Sequence, residues 1–394
     1  MIVPHENEME DFSPVNHPAN DPTSGIKTTH FAYRAIEETI LKLDLLGHDV
    51  PSIIKKLGEL TSINPEEIDL TDEKTMSLYS STEALDLKTE IPNLDVGTLG
   101  IPEFGTNFVR QMLKDTKPKT MGELFRISGL SHGTDVWLNN AQDLVRNKEA
   151  VLSEVICTRD DIMSFLIQKG LESNDAFTIM EKVRKGRGLT EEQIHLMNSV
   201  DLPSWYIDSC LKIKYMFPKA HATAYVLMSF RIAYFKTYYP QAFYASYFTT
   251  KLADFPGAFA FSGLGPVQGE MKRIKSLGFD ASNKEQLNYV VLELIEEMLA
   301  RGYEFQDPEI GKCERESFSV SNDGKIVVPY SAIENISAQQ SRDIYDACLE
   351  GSFISVENFV DRTGINKSAI ESLRSNGLLD HLQETNQMDL FDMF

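Results

Sequence analysis

Residues 212–236 read KIKYMFPKAHATAYVLMSFRIAYFK, and how this stretch folds decides the character of the whole chain. Pro218 lacks an N–H and presets φ for a helix, so it is at home at a helix start. If the part after Pro218 is one helix, Lys219, His221 and Tyr225 fall within one broad sector, while Ala222 and Ala224 keep the neighbouring surface thin. Such a sector offers two phosphate donors and a flat aromatic platform. A base pair under construction needs both, cations for a departing triphosphate and a stacking surface for the new pair. The wider aromatic run, Tyr234, Tyr238, Tyr239, Phe243, Tyr244 and Phe248, reads as helix-packing core.

Charge sets this stretch apart from its surroundings. Residues 205–251 hold six cations, Lys212, Lys214, Lys219, Arg231, Lys236 and Lys251, against one acid, Asp208, inside a chain of net charge −21. The total argues against a phosphate-rich partner, but the local excess argues for one. With 394 residues, 42% apolar and 25% charged, the chain has the size of two to three soluble domains. Its apolar runs are interrupted by charges before they reach the length of a membrane span. Cys157, Cys210, Cys313 and Cys348 are scattered without CxxC spacing, which argues against a zinc ribbon or a disulfide framework and fits buried packing residues in a reducing cytoplasm. The acidic opening MIVPHENEMEDF has neither the basic nor the apolar region of a secretion signal.

Working outward, residues 48–255 are predicted to be almost wholly helical. HDVPSIIKKLGELTSI, NPEEIDL, EFGTNFVRQMLKDT, TMGELFRISGL and DAFTIMEKVRKGRG each carry helical spacing or a helix-start signal. The first thirty residues read as irregular. The stretch 31–46 begins with helix-like spacing and ends as a strand, LKLDLL, with Leu41, Leu43 and Leu45 on one face and Lys42 and Asp44 on the other. Gly and Pro cluster at 254–271, where a domain boundary is expected. VVLELIEEMLARG is a further helix, ESFSVSNDGKIVVPY predicts short strands about the turn 322–324, and SAQQSRDIYDACLEG and NKSAIESLRSNGLLDHL predict two small helical units. The expected fold class is mainly α with small β elements, an α+β protein.

Four further stretches could carry chemistry. On LKLDLLG, Asp44 could hold Mg²⁺ and Lys42, on the same face, could neutralise a phosphate, although one acid is not a two-metal site and an ordinary exposed Asp–Lys pair has the same spacing. SGLSHGTDVW sets Ser131 and His132 among small residues that allow close approach of a ligand or simply a tight interhelical turn. VRKGRG is a basic turn with two glycines, a phosphate cradle or a solvated helix end. QMDLF, Gln387, Met388, Asp389, Leu390 and Phe391, offers an amide and apolar anchors to a partner pocket.

At these residues the sequence resembles the PolC-type alpha subunit of bacterial DNA polymerase III. KTTHF, LKLDLLGHDVP, GIPEFGTNFVRQML, SGLSHGTDVW, VRKGRGLT, WYIDSC and KIKYMFPKAHATAYVLMSFRIAYFK all look like family blocks, in the family's order. The resemblance implies that residues 1–50 are the end of a palm, 51–255 the fingers, 256–329 a linker with a small α/β region, 330–382 a tandem helix-hairpin-helix region gripping duplex DNA, and 383–394 a clamp-binding tail. It implies that Asp44 is the third metal acid, hence a catalytic residue and a ligand of Mg²⁺. Lys42, Ser131, His132, Arg184, Lys185, Phe217, Lys219, His221 and Tyr225 become nucleotide contacts, and residues 387–391 the pentapeptide for the sliding clamp (beta). The implied partners are primer-template DNA, dNTPs, the clamp and, if the enzyme is split, the missing amino-terminal polymerase portion, with no membrane. The PDxDxDF motif with the other two metal acids is not found, so the chain is expected to begin inside the palm and to be incomplete as an enzyme on its own. The first hairpin reads AIENISAQQ where the family has a Gly-containing turn, and DMF follows the pentapeptide. A second reading, a non-catalytic accessory protein recruited by the clamp or an inactive remnant, shares the fingers and the tail.

Overall fold

The computed structural model describes residues 1–43 and 47–386 and divides into two compact units, Met1–Asp49 and Val50–Phe394. The first unit is built from turns. Strand β1 (Val15–Asn16) pairs antiparallel with β2 (Thr28–Thr29), Val15 opposite Thr29, and short 3-10 turns at Met9–Asp11, Pro18–Asn20, Pro22–Ser24 and Tyr33–Ala35 carry the rest. The helix expected from residue 31 stops at that last turn. Only Ile36 and Ile40 in it are buried, and a stretch so short does not repay helix nucleation without a packed face. Of the expected strand from Leu41, the described residues show an antiparallel bridge between Leu41 and Ile2. Leu41 and Leu43, the described residues of the predicted apolar face, are 64% and 57% exposed. Asp44, Leu45 and Leu46 lie outside the described residues.

The second unit is helical. Helix α1 (Asp49–Thr61) buries Val50, Ile53 and Leu57 on one stripe. The helix expected at NPEEIDL is instead a 3-10 turn, Pro65–Glu67, because the Asp69 carboxylate accepts the Thr71 N–H at 2.8 Å and turns the chain. Helix α2 (Glu73–Ser77) starts only behind its cap, Asp72, which accepts the Thr75 N–H at 2.7 Å. Then follow α3 (Asn107–Thr116), α4 (Met121–His132), α5 (Gln142–Arg146), α6 (Arg159–Gln168), α7 (Ser173–Arg184), α8 (Glu191–Asn198) and α9 (Tyr206–Lys212). The stretch after Pro218 is one helix, α10 (Lys219–Tyr238), and α11 (Pro240–Thr250) follows at once.

Helix α10 is apolar nearly all round because it serves two cores. Val226, Phe230 and Ala233 pack with Tyr79, Phe104, Leu124 and Ile127, whereas Ile232 and Phe235 pack with Leu57, Phe243, Phe248 and Leu292. Between them Lys236, fully buried, donates to the carbonyls of Gly97 at 2.8 Å and Leu99 at 2.6 Å and to Glu297 Oε2 at 2.9 Å. Tyr244 Oη donates to Glu297 Oε1 at 2.7 Å and accepts from Arg301 Nη1 at 3.1 Å. Burial pulls the Lys236 ammonium down to about 8 against the pull of Glu297.

The second core runs on without a break through residues 254–271, where a boundary was expected. Phe248 meets Phe255, Phe305 and Phe318 at ring separations of 5.4, 5.6 and 5.6 Å. Helices α12 (Gly257–Ala260), α13 (Leu264–Leu277) and α14 (Asn283–Ala300) cover it, with α13 packed on α14. Gly257 marks a close crossing, since a Cβ there would sit 2.2 Å from the Ala332 carbonyl oxygen. Strand β3 (Phe305–Gln306) runs parallel to β5 (Ile326–Val327), which pairs antiparallel with β4 (Ser319–Val320) about the expected turn. A third core, with Tyr330, Ile344, Phe359 and Leu373, joins α15 (Ala338–Leu349), α16 (Val356–Thr363) and α17 (Lys367–Ser375). In AIENISAQQ, Asn335 adopts φ 63°, supplying without glycine the left-handed turn that Asn tolerates, and its Nδ2 donates to Ser372 Oγ at 3.0 Å. No helix of the described residues is long and apolar enough to cross a membrane. The four cysteines are free; Cys157, Cys210 and Cys313 are buried.

Candidate functional site

The amino-terminal end of α10 and the segment before it are held by two close backbone approaches. At Gly133 a Cβ would lie 2.3 Å from Val136 Cγ2 and 2.9 Å from the Tyr215 carbonyl oxygen, and at Gly186, φ 62°, it would lie 2.4 Å from the Lys214 carbonyl oxygen. Only glycine fits at either place. The segment 214–216 therefore threads between them, with the Thr134 N–H donating to Tyr215 O at 2.9 Å and the Met216 N–H to Arg184 O at 3.2 Å. SGLSHGTDVW, VRKGRG and FPKAHATAY, far apart in sequence, meet here.

What they build is a row of rings. His132 lies 5.1 Å from Phe217, Phe217 lies 4.6 Å edge-on to His221, and His221 stacks on Tyr225 at 4.2 Å and 28°. His221 is exposed, whereas Phe217 and Tyr225 are half-buried. The head of the row is fixed at both ring nitrogens. His132 Nε2 is 2.8 Å from Glu103 Oε2, and Nδ1 is 2.8 Å from the Ser128 carbonyl oxygen, to which Ser131 Oγ also donates at 2.9 Å. The Glu103 carboxylate raises the imidazole above its ordinary range, favouring the charged form.

The cations are placed differently from expectation. Arg184 and Lys185 both grip Glu181, Lys185 at 2.7 Å, and the pair holds that carboxyl at about 2. Lys219 does not share the sector of His221 and Tyr225. At 100° per residue, positions two apart on a helix point nearly opposite ways, and only the i, i+4 pair His221 and Tyr225 coincides. The Lys219 ammonium instead lies 3.5 Å from Asp161 Oδ1, and its N–H donates to Asp160 Oδ2 at 2.8 Å. There it lines a cavity of about 390 Å³ with Arg126, Thr158 and Asp161. Glu103, Glu181 and Asp161 escaped the sequence reading. The local signal for Asp161 was its place in the first turn of α6, where it accepts the Thr158 N–H at 2.9 Å, but nothing local pointed it at Lys219.

Lys42, in the first unit, lies over the Tyr33 ring at 5.4 Å. Asp44 and the clamp motif, Gln387 to Phe391, lie outside the described residues. Among the described residues no three His, Cys, Asp or Glu side chains gather as a metal site would require.

Comparison with known proteins bears on this geometry. The family model for the bacterial DNA polymerase III alpha subunit finger domain matches residues 49–200, and a helix-hairpin-helix motif model matches residues 302–388. DNA polymerase III PolC-type of Caldanaerobacter subterraneus subsp. tengcongensis is 48% identical over 391 residues, 99% of this chain and 28% of that protein. The chain belongs to the PolC-type DNA polymerase III family. The PolC-type proteins of Clostridium perfringens and Thermotoga maritima are 46% and 47% identical, again over 99% of this chain but 27% and 28% of theirs. The chain thus spans little more than a quarter of the length of these relatives. The finger match takes in Glu103, His132 and Arg184, and the helix-hairpin-helix match takes in β3–β5 and α15–α17.

Proposed function

We propose that this chain is the nucleotide-holding part of a replicative, DNA-directed DNA polymerase that transfers dNMP to a primer 3′-hydroxyl. The observation that carries the reading is the row His132, Phe217, His221 and Tyr225 beside the basic turn 184–188, built from three distant segments inside a PolC-type sequence. A graded aromatic surface with two imidazoles suits a base or sugar on the rings and phosphates at the cations. Arg184, Lys185 and Lys219 are each satisfied by a carboxylate, so an incoming triphosphate would exchange Glu181 or Asp161 for its own oxygens. Ser131 would act on this reading through its bond to the carbonyl that orients His132.

Asp44 and Lys42 are proposed as the metal acid and the phosphate cation of a catalytic centre whose other acids come from a further portion of the polymerase. Mg²⁺, when bound there, would lower the pKa of the primer hydroxyl and hold the triphosphate. Residues 330–382 would grip the product duplex through backbone amides, and residues 387–391 would engage the sliding clamp.

Primer extension tests this. The chain mixed with a separately expressed amino-terminal portion of a PolC-type polymerase is expected to incorporate dNTPs with Mg²⁺, and Asp44→Ala is expected to abolish it. Incorporation by the chain alone would overturn the assignment of the remaining metal acids to another portion. A mixture that neither extends primers nor binds dNTP would overturn the polymerase reading itself.

A further inference from the structure

Glu103 is a half-buried acid in a conformation that side chains avoid. Its φ is 68°, in the left-handed region, and its side chain is only 14% exposed. Such a backbone is strained and persists only where the surroundings impose it. Here they do. Ile101 and Phe104 on either side are buried, Thr98 Oγ1 donates to the Phe104 carbonyl at 2.8 Å, and Gly105 packs where a Cβ would press at 3.0 Å on Ile101 O. The turn delivers one carboxylate oxygen to 2.8 Å from His132 Nε2. A glycine would fit the turn without strain, yet the position carries an acid aimed at the first ring of the row.

We propose that Glu103 is a positioning residue for the nucleotide face: its carboxylate fixes the His132 ring at the head of the row and makes triphosphate binding there depend on pH. This rests on the nucleotide reading above. Among the described residues His132 meets the Glu103 carboxylate, from the turn before α3, and the Ser128 carbonyl and, at 3.0 Å, the Ser131 hydroxyl on its own helix; Phe217, from the segment before α10, faces it with an uncharged ring. With His132 protonated the pair is neutral. Once the imidazole loses its proton, the pair carries one net negative charge beside the phosphates, and the ring has lost the attraction that aims it.

Glu103→Gln removes the charge and keeps the shape, so the two effects separate. In a titration of the full chain with a dNTP and with inorganic tripolyphosphate between about pH 6 and 9, wild-type affinity is expected to fall about five- to tenfold as pH rises, the effect of one unit charge at short range. E103Q is expected to bind more weakly than wild type near pH 6.5 and at least as tightly at pH 9, a crossing that a merely structural role cannot produce. By NMR, the His132 ring is expected to titrate above about 6.5 in wild type and to fall back towards it in E103Q. H132Q, which leaves Glu103 in place, is expected to flatten the pH profile, and it serves as the second variant if E103Q does not fold. Binding with parallel wild-type and E103Q profiles, or a His132 titration unmoved by E103Q, overturns the role of Glu103 while leaving the nucleotide reading intact. Failure of the wild type to bind either ligand at any pH overturns both.

Discussion

At the scale of single residues, this chain invests charge where burial makes it expensive. Lys236 and Glu297 are both fully buried and satisfy each other, two carbonyls and Tyr244, so the pair locks the 97–99 turn, α10, α11 and α14 together. Removing one partner strands the other. Lys236→Met is expected to destabilise by about 3–5 kcal/mol in urea unfolding, and Lys236→Met with Glu297→Leu by clearly less than the sum of the single changes. The Glu103–His132 pair makes a prediction of a different sign. A raised imidazole pKa means that the folded chain holds its proton more tightly, so the pair's stabilisation is complete below the unfolded value and drains away as pH rises through the folded one. The loss of stability caused by Glu103→Gln is therefore expected to be largest near about pH 6 and to shrink by about pH 9, read from urea midpoints. Single residues of this kind were invisible in the sequence, because a glutamate between Pro102 and Phe104 gives no local sign of its backbone conformation or its distant partner.

At the scale of elements, helix existence followed spacing and caps, and most ends followed them too. Thr106, Thr120, Ser282, Ser337 and Asn366 each accept a backbone N–H of the helix that they precede. The misses share a cause. NPEEIDL and the 31–40 stretch carry helix-start or helix-like signals, but one is diverted by an Asp69 turn and the other buries too little to hold a helix. Helix α16 escaped because its apolar stripe, Val356 and Phe359, is too short to stand out from a loop. The site depends on how elements approach, and that approach depends on glycine. Gly186→Ala forces a side chain at φ 62° against the Lys214 carbonyl and is expected to cost about 1–3 kcal/mol in thermal unfolding. It should also displace the 214–217 segment and weaken dNTP binding in the same titration, whereas Gly188→Ala, with open space around its Cβ, should pay only the backbone term.

At the scale of the whole molecule, the cluster of Gly and Pro at 254–271 reads as a linker and is a crossing point in a continuous core. Phe248 lies before it, Phe305 and Phe318 after it, and Phe255 within it, all four in mutual contact. A chain ending after residue 255 would expose that aromatic face. It is expected to be insoluble or to lack a cooperative transition in calorimetry, while Phe248→Ala in the full chain should cost about 3–5 kcal/mol. A truncated chain with a cooperative transition at the full-length temperature would show that the core divides there after all.

The sequence by itself determined the helical class, the positions of most helices, the small hairpin about residues 322–324 and the resemblance to a PolC-type polymerase, because periodicity, caps and ordered family blocks are written locally along the chain. Tertiary structure decided which face of α10 carries the row of rings. Helical rotation separates Lys219 from His221, and only the packing of α10 on α4 and the threading of residues 214–216 between Gly133 and Gly186 bring His132 to Phe217. It also decided that a strained glutamate twenty-nine residues upstream meets that histidine, since contact between distant residues is a property of the fold and not of their spacing.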